Sequence, residues 1–162
     1  MSSLIYNAEL MQHYHQPSGW VDELTLGQRH NIENSHCGDE LKIGTLIESN
    51  HLLDIEFCGE CCAVCRASSS ILYQNLFNQP INDALSKIMA VEKWLLDEGE
   101  RPNFMGPLAI LEKNYIRRQC AQLPWEGIRN SIINQMKLAP VENKTGEVTE
   151  CRNYTELCVL AH

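Results

Sequence analysis

The chain has 162 residues, 44% of them hydrophobic and 21% charged, which suits one soluble domain with a real apolar core. Its formal net charge of −8 argues against nucleic acid and anionic membrane surfaces, both of which reward clustered Lys and Arg. No apolar run approaches the roughly 20 residues of a spanning helix. Eight cysteines without a secretory or Arg-rich start point to metal or sulfur chemistry in a reducing cytoplasm, not to a disulfide framework.

The first element is helical: Leu4, Ile5, Ala8 and Met11 recur at helical spacing and stop before Pro17. Three extended segments follow, at about 28–35, 41–48 and 52–58. Leu41, Ile43, Thr45 and Ile47 alternate in the second, and Leu53, Ile55 and Phe57 in the third, the period of half-buried strands. Ser49-Asn50 suits a hairpin turn, and short connections favour an antiparallel meander. Beyond Gly59 the period becomes helical, through Val64, Ala67, Ile71, Leu72, Leu76 and Phe77. A second helix runs from Asn82 to about Leu96, and a short one covers about 107–113. The last helix is expected to begin at Pro124, a favoured first helical residue, and to end near Pro140. Residues 1–140 form the domain in this reading, and 141–162 a C-terminal tail.

Three separated thiol sites carry the chemistry. Cys37-Gly38-Asp39 falls between two strands, where glycine permits a tight turn and thiol and carboxylate can face one ion. The same residues also fit a plain turn in which Asp39 accepts backbone hydrogen bonds. Cys58, Cys61, Cys62 and Cys65 lie within eight residues. Cys62 falls at a helix start, whose N–H groups and dipole favour a thiolate. Cys58 and Cys65 read as small buried hydrophobes, although the C-x2-C spacings also permit a redox dithiol. Cys120 is expected just before the last helix, beside Lys113, Arg117 and Arg118, whose charge would favour a thiolate there. Taken alone, it also fits a structural cysteine beside a solvated basic face. Of the histidines only His36, next to Cys37, offers a further ligand. Cys151 and Cys158 in the tail have no assigned role.

With these residues placed, the chain resembles the U-type iron–sulfur scaffold family (IscU, SufU and the NifU N-terminal domain). MQHYHQPSG resembles the family's HY-x-x-P-x-N, and Asn34–Asp39 its N-P-x-C-G-D. Phe57–Ser70 resembles F-x-G-x-G-C-x-I-S-x-A-S-x-S, and Ile116–Trp125 resembles A-R-x-K-C-x-x-L-x-W. The four motifs occur in order over about residues 4–136. The long Cys62–Cys120 interval, Trp125, and the lack of a histidine before Cys120 look more like the SufU branch.

The resemblance implies an α+β fold, with a three-stranded antiparallel sheet and about five helices packed on one face. It implies Cys37, Asp39, Cys62 and Cys120 as ligands of zinc or iron and of a transient [2Fe–2S] cluster. Cys37 and Cys120 are then the candidate sulfur acceptors. The implied partners are a PLP-dependent cysteine desulfurase and cluster carrier or recipient apoproteins, and the expected state is a monomer or weak homo-oligomer. Such a protein is a scaffold and sulfur acceptor more than a classical enzyme. Two alternatives stand beside it: a zinc-bound persulfide sulfurtransferase feeding another scaffold, and a binding module with structural zinc. The chain departs from the family pattern at Ser35, Cys61, Cys65 and Gln119, where proline, glycine, serine and an ionisable residue are usual.

Overall fold

The computed structural model describes residues 7–138. Leu4, Ile5 and the proposed tail with Cys151 and Cys158 lie outside the described residues. The order is α1 (Ala8–His15), β1 (Gln28–Asn34), β2 (Asp39–Glu48), β3 (His51–Glu60), α2 (Ala63–Leu76), β4 (Gln79–Pro80), α3 (Ile81–Leu95), a 3₁₀ segment (Asn103–Lys113) and α4 (Tyr115–Leu138). The fold is α+β, with five helical segments among the described residues.

The sheet has four strands in the order β1-β2-β3-β4, every neighbouring pair antiparallel. The fourth strand, missing from the sequence expectation, has only two residues and pairs with His51 and Leu52. Two residues carry no periodicity to read. The β2–β3 hairpin turns at Ser49 and Asn50, both with positive φ. That is the backbone whose twist matches the flanking strands.

One expected alternation breaks. Leu46 pairs with Asp54 but Ile47 pairs with Leu52, so Leu53 is the extra residue of a bulge. Leu52, not Leu53, is therefore fully buried with Ile55 and Phe57.

The helices fill the core over the sheet. Leu10, Val64, Ile71, Leu72, Ile88, Val91, Trp125, Ile128 and Ile132 join Leu41, Ile43 and Phe57 in one cluster. Asn7 caps α1 through Leu10 N–H (2.8 Å) and reaches the Pro107 carbonyl (2.9 Å). α4 crosses the sheet at Gly127, which faces Ile43. Thr45 and Ser131 share a buried hydrogen bond of 2.7 Å across that contact. Trp125 is fully buried; its indole N–H donates to Ser68 Oγ (2.9 Å), which donates to the Ala121 carbonyl (2.7 Å). α2 and α4 are thus fixed in rotation as well as in distance.

The last helix corrects the sequence expectation. It begins at Tyr115, and Pro124 lies inside it. Proline has no N–H to give the carbonyl four residues back, which here is that of Cys120. The proline is tolerated on the buried side among Leu123 and Trp125. The expected helix at 107–113 is the second half of a longer 3₁₀ segment containing Pro107.

Candidate functional site

Antiparallel pairing brings the end of β1, the start of β2 and the end of β3 to one edge. Asn34 pairs with Asp39, and Glu40 pairs with Glu60. The β1–β2 turn at 35–38 therefore lies beside the two residues that link β3 to α2, Cys61 and Cys62. α4 passes over β1 and supplies Cys120.

The turn is built for its task. Cys37 N–H (3.3 Å) and Gly38 N–H (2.9 Å) both donate to the Asn34 carbonyl. Gly38 has φ +70, a conformation L side chains rarely adopt. The Asn34 side chain accepts from His36 N–H (3.1 Å) and directs its amide at Cys120 Sγ (3.9 Å). The second glycine, Gly59, has φ +123, and a Cβ there would meet the Glu40 carbonyl oxygen at 2.2 Å. Only glycine lets β3 and β2 approach this closely just ahead of Cys61 and Cys62.

Asp39 is buried, and its Oδ1 accepts the Cys62 N–H at 2.7 Å. Its Oδ2 lies 3.7 Å from Cys62 Sγ. Cys62 is the N-cap of α2, its sulfur accepting from Cys65 N–H at 3.5 Å. Cys120 Sγ lies 2.8 Å from Cys37 Sγ. The donor atoms of Cys37, Asp39 and Cys120 all lie within 4.8 Å of one another. Cys37, Asp39 and Cys120 thus share one point, and Cys62 adjoins it through Asp39.

The electrostatics divide the thiols. The hydrogen bond from Cys120 and the N–H groups of Cys65 and Val64 outweigh burial and the Asp39 charge, lowering the Cys62 pKa to about 7. The helix N-terminus contributes as expected, but Cys120 contributes most. Cys120 moves the opposite way, its pKa raised by its bonds to Cys62 and Cys37, by burial and by the Asp39 charge.

That corrects the expectation of a thiolate favoured by neighbouring cations. Cys120 lies within α4, not before it, and is fully buried. Arg118 points away, to the carbonyls of Leu111 (2.8 Å), Leu95 (3.2 Å) and Glu112 (3.0 Å) and to the Asp97 carboxylate (2.8 Å). His36 is exposed and lends the turn only its backbone N–H. Cys58 and Cys65 are buried, and Cys61 is half-buried. Asn34 was missed as a site residue because an asparagine at a strand end reads as ordinary turn chemistry. Its role appears only once α4 brings Cys120 over it.

Three sulfurs and a carboxylate suit zinc or iron. A Zn–S bond of about 2.3 Å puts tetrahedral sulfurs about 3.8 Å apart. The donor atoms of Cys37, Asp39 and Cys120, all within 4.8 Å of one another, are close enough to turn toward one such ion.

This small α+β domain gathers cysteines from a strand turn, a helix N-cap and a packed helix, a donor set that could hold a metal ion. The match is more particular: residues 5–134 fit the NifU-like N terminal domain. The chain belongs to that family of iron–sulfur cluster assembly scaffolds.

Among curated relatives, the iron–sulfur cluster assembly scaffold protein IscU of Thermotoga maritima is 28% identical over 119 residues, covering 70% of this chain and 81% of that protein. The zinc-dependent sulfurtransferase SufU of Bacillus subtilis is 23% identical over 137 residues, covering 81% of this chain and 91% of that protein. Two solved structures share the fold. The NifU-like N-terminal protein of Brucella abortus has TM-score 0.76 and 16% identity, covering 83% of this chain and 96% of that one. A putative SUF-system scaffold from Fervidobacterium islandicum AW-1 has TM-score 0.72 and 22% identity, covering 80% and 98%.

Proposed function

We propose that this domain accepts sulfur from a PLP-dependent cysteine desulfurase, binds iron, and passes a [2Fe–2S]-type cluster to carrier or recipient apoproteins. The observation that carries this is the close approach of Cys37, Asp39 and Cys120, with Cys62 held against Asp39, from three separate segments. When zinc is bound, it keeps these sulfurs as thiolates and shields them from indiscriminate oxidation.

The residues have distinct parts in this reading. Sulfur arrives when a thiolate attacks the outer sulfur of the desulfurase persulfide; the S–S bond breaks and the desulfurase cysteine leaves as thiolate. Exposure favours Cys37 as first acceptor, since it is half-buried whereas Cys120 is fully covered. Cys62 holds negative charge near neutral pH. Asp39, the harder donor, is the ligand most readily released by soft iron or zinc. The reading requires a reducing compartment such as the cytoplasm. Among the described residues no helix is long and apolar enough to cross a membrane.

The test is anaerobic reconstitution with iron, cysteine and desulfurase. The expected result is a cluster chromophore that passes to an apo-acceptor and is lost in Cys37→Ala. Retained zinc with strong desulfurase stimulation and no transferable cluster would select a second reading, a zinc-bound sulfurtransferase. The thiol and carboxylate donors also fit that reading, and it is the activity named for the Bacillus subtilis relative. Unchanged desulfurase stimulation in Asp39→Ala, with unfolding on zinc removal, would select structural zinc instead.

A further inference from the structure

Among the described residues, Arg66 is a cation near the thiol site that no carboxylate meets. It lies at the start of α2, and its backbone N–H donates to the Cys62 carbonyl at 3.0 Å, so it stands one helical turn beyond Cys62. A long helical side chain leans toward the helix N-terminus, which here is the end that follows Cys61 and Cys62. The guanidinium carbon sits 4.5 Å from the Trp20 ring centre and 5.7 Å from that of Tyr14. Trp20 is fixed in turn. Val21 N–H donates to the Phe57 carbonyl and Phe57 N–H to the Gly19 carbonyl, both at 2.8 Å, and the Trp20 ring stacks on Phe57. The segment 19–21 therefore lines β3 just before Cys58, and the guanidinium is positioned by a ring that the fold itself holds.

Stacking accounts for where the guanidinium lies, not for its unused donors. Arg66 Nε is buried without an acceptor, and the terminal nitrogens are not closed off in this way. The first turn of α2 has no acidic residue. The chain holds 21 acidic residues against 13 basic ones, so acceptors are plentiful in composition and missing only in place. Arg66, Trp20 and Tyr14 are all half-buried, and Arg, Trp and Tyr are the residue types that anchor protein interfaces. A guanidinium already ordered in the free chain loses little freedom on meeting a carboxylate. We propose that Arg66, seated against Trp20 and Tyr14, anchors a carboxylate side chain of the protein that delivers persulfide sulfur to this site. Such a donor must cover the start of α2 to bring its outer sulfur to the thiols, and it then lies within reach of Arg66. A guanidinium grips one carboxylate through two parallel N–H bonds, which fixes the donor's register on the site.

This inference rests on the sulfur-accepting reading, and its test separates the two. The dissociation constant between full-length, zinc-loaded chain and the PLP-dependent cysteine desulfurase of the same organism is measured at low and high salt. Arg66→Met keeps a long apolar chain over the rings and removes the charge. It is expected to weaken binding about tenfold, chiefly through faster dissociation, and to flatten the salt dependence. Arg66→Lys is expected to recover part of the loss, because a point charge lacks the fork. Zinc content and melting temperature should stay at the wild-type values. On the wild-type chain, phenylglyoxal labelling of Arg66, read by peptide mapping against exposed Arg101, is expected to fall in the complex. That second measurement stands even if a substitution impairs folding. Undiminished binding by folded Arg66→Met, or labelling of Arg66 that is the same with and without the desulfurase, would each overturn the proposal and leave the sulfur-accepting reading intact. A desulfurase that does not bind the wild-type chain at all would remove the reading and the anchor together.

Discussion

Cys62 shows how a single position sets reactivity. As N-cap of α2 it takes a hydrogen bond from Cys120 and N–H groups from Cys65 and Val64, and its pKa falls from 9.0 to about 7. A lowered thiol pKa means the thiolate is present above that value and is lost as pH falls through it. In metal-free protein, alkylation of Cys62 by iodoacetamide is therefore expected to rise through a titration centred near pH 7. Peptide mapping checks this, and a midpoint near that of an ordinary cysteine would refute the geometry. Cys65 is shifted the opposite way, by its bond to Cys61, by burial and by neighbouring charge, so it is expected to stay unmodified across the same range. The sequence made Cys62 legible through its place at a helix start. The larger contribution, from Cys120, lies 58 residues away and exists only once α4 is packed.

At the scale of elements, Arg118 ties three segments together. It reaches two carbonyls of the 3₁₀ segment and one at the end of α3, pairs with Asp97, and stacks 4.1 Å from the Tyr115 ring centre. Arg118→Met removes the donors and leaves those carbonyls under-satisfied. The expected cost is about 3 kcal/mol, measured as a shift in the denaturant midpoint at unchanged slope. A loss near zero would show that water replaces the guanidinium.

The same stretch marks the limit of reading elements from sequence. β2, the hairpin turn and α2 follow from alternation, turn chemistry and helical spacing. α4 was started nine residues late because Pro124 carries the signal of a helix start, while the fold uses it mid-helix. Packing of Trp125, Ile128 and Ile132 against the sheet and α2 outweighs the one hydrogen bond that proline forfeits. That error also placed Cys120 before the helix and not within it, and gave Arg118 the wrong task.

For the molecule as a whole, the site is a staple between segments far apart in sequence. Metal bound there joins the β1–β2 turn, the start of α2, and α4. Anything that binds the folded chain alone stabilises it by mass action. Zinc at about a hundredfold excess over its dissociation constant is expected to add at most about 2.7 kcal/mol, less whatever it gains on the unfolded chain's thiols, raising the melting temperature by up to the order of 10 °C. The gain should vanish with a chelator and shrink sharply in Asp39→Ala, as differential scanning fluorimetry can show. An equal gain in Asp39→Ala would remove the carboxylate from the ligand set.

Before the chain folds, that staple does not exist, whereas Cys58, Cys61, Cys62 and Cys65 are already neighbours along the backbone. A nascent or denatured chain therefore presents zinc with four local thiols before it presents the long-range set. Folding withdraws Cys58 into β3 and Cys65 into the core and hands Cys62 to its distant partners. In the folded chain Cys58 and Cys65 are covered, and Cys62 is left beside the long-range set.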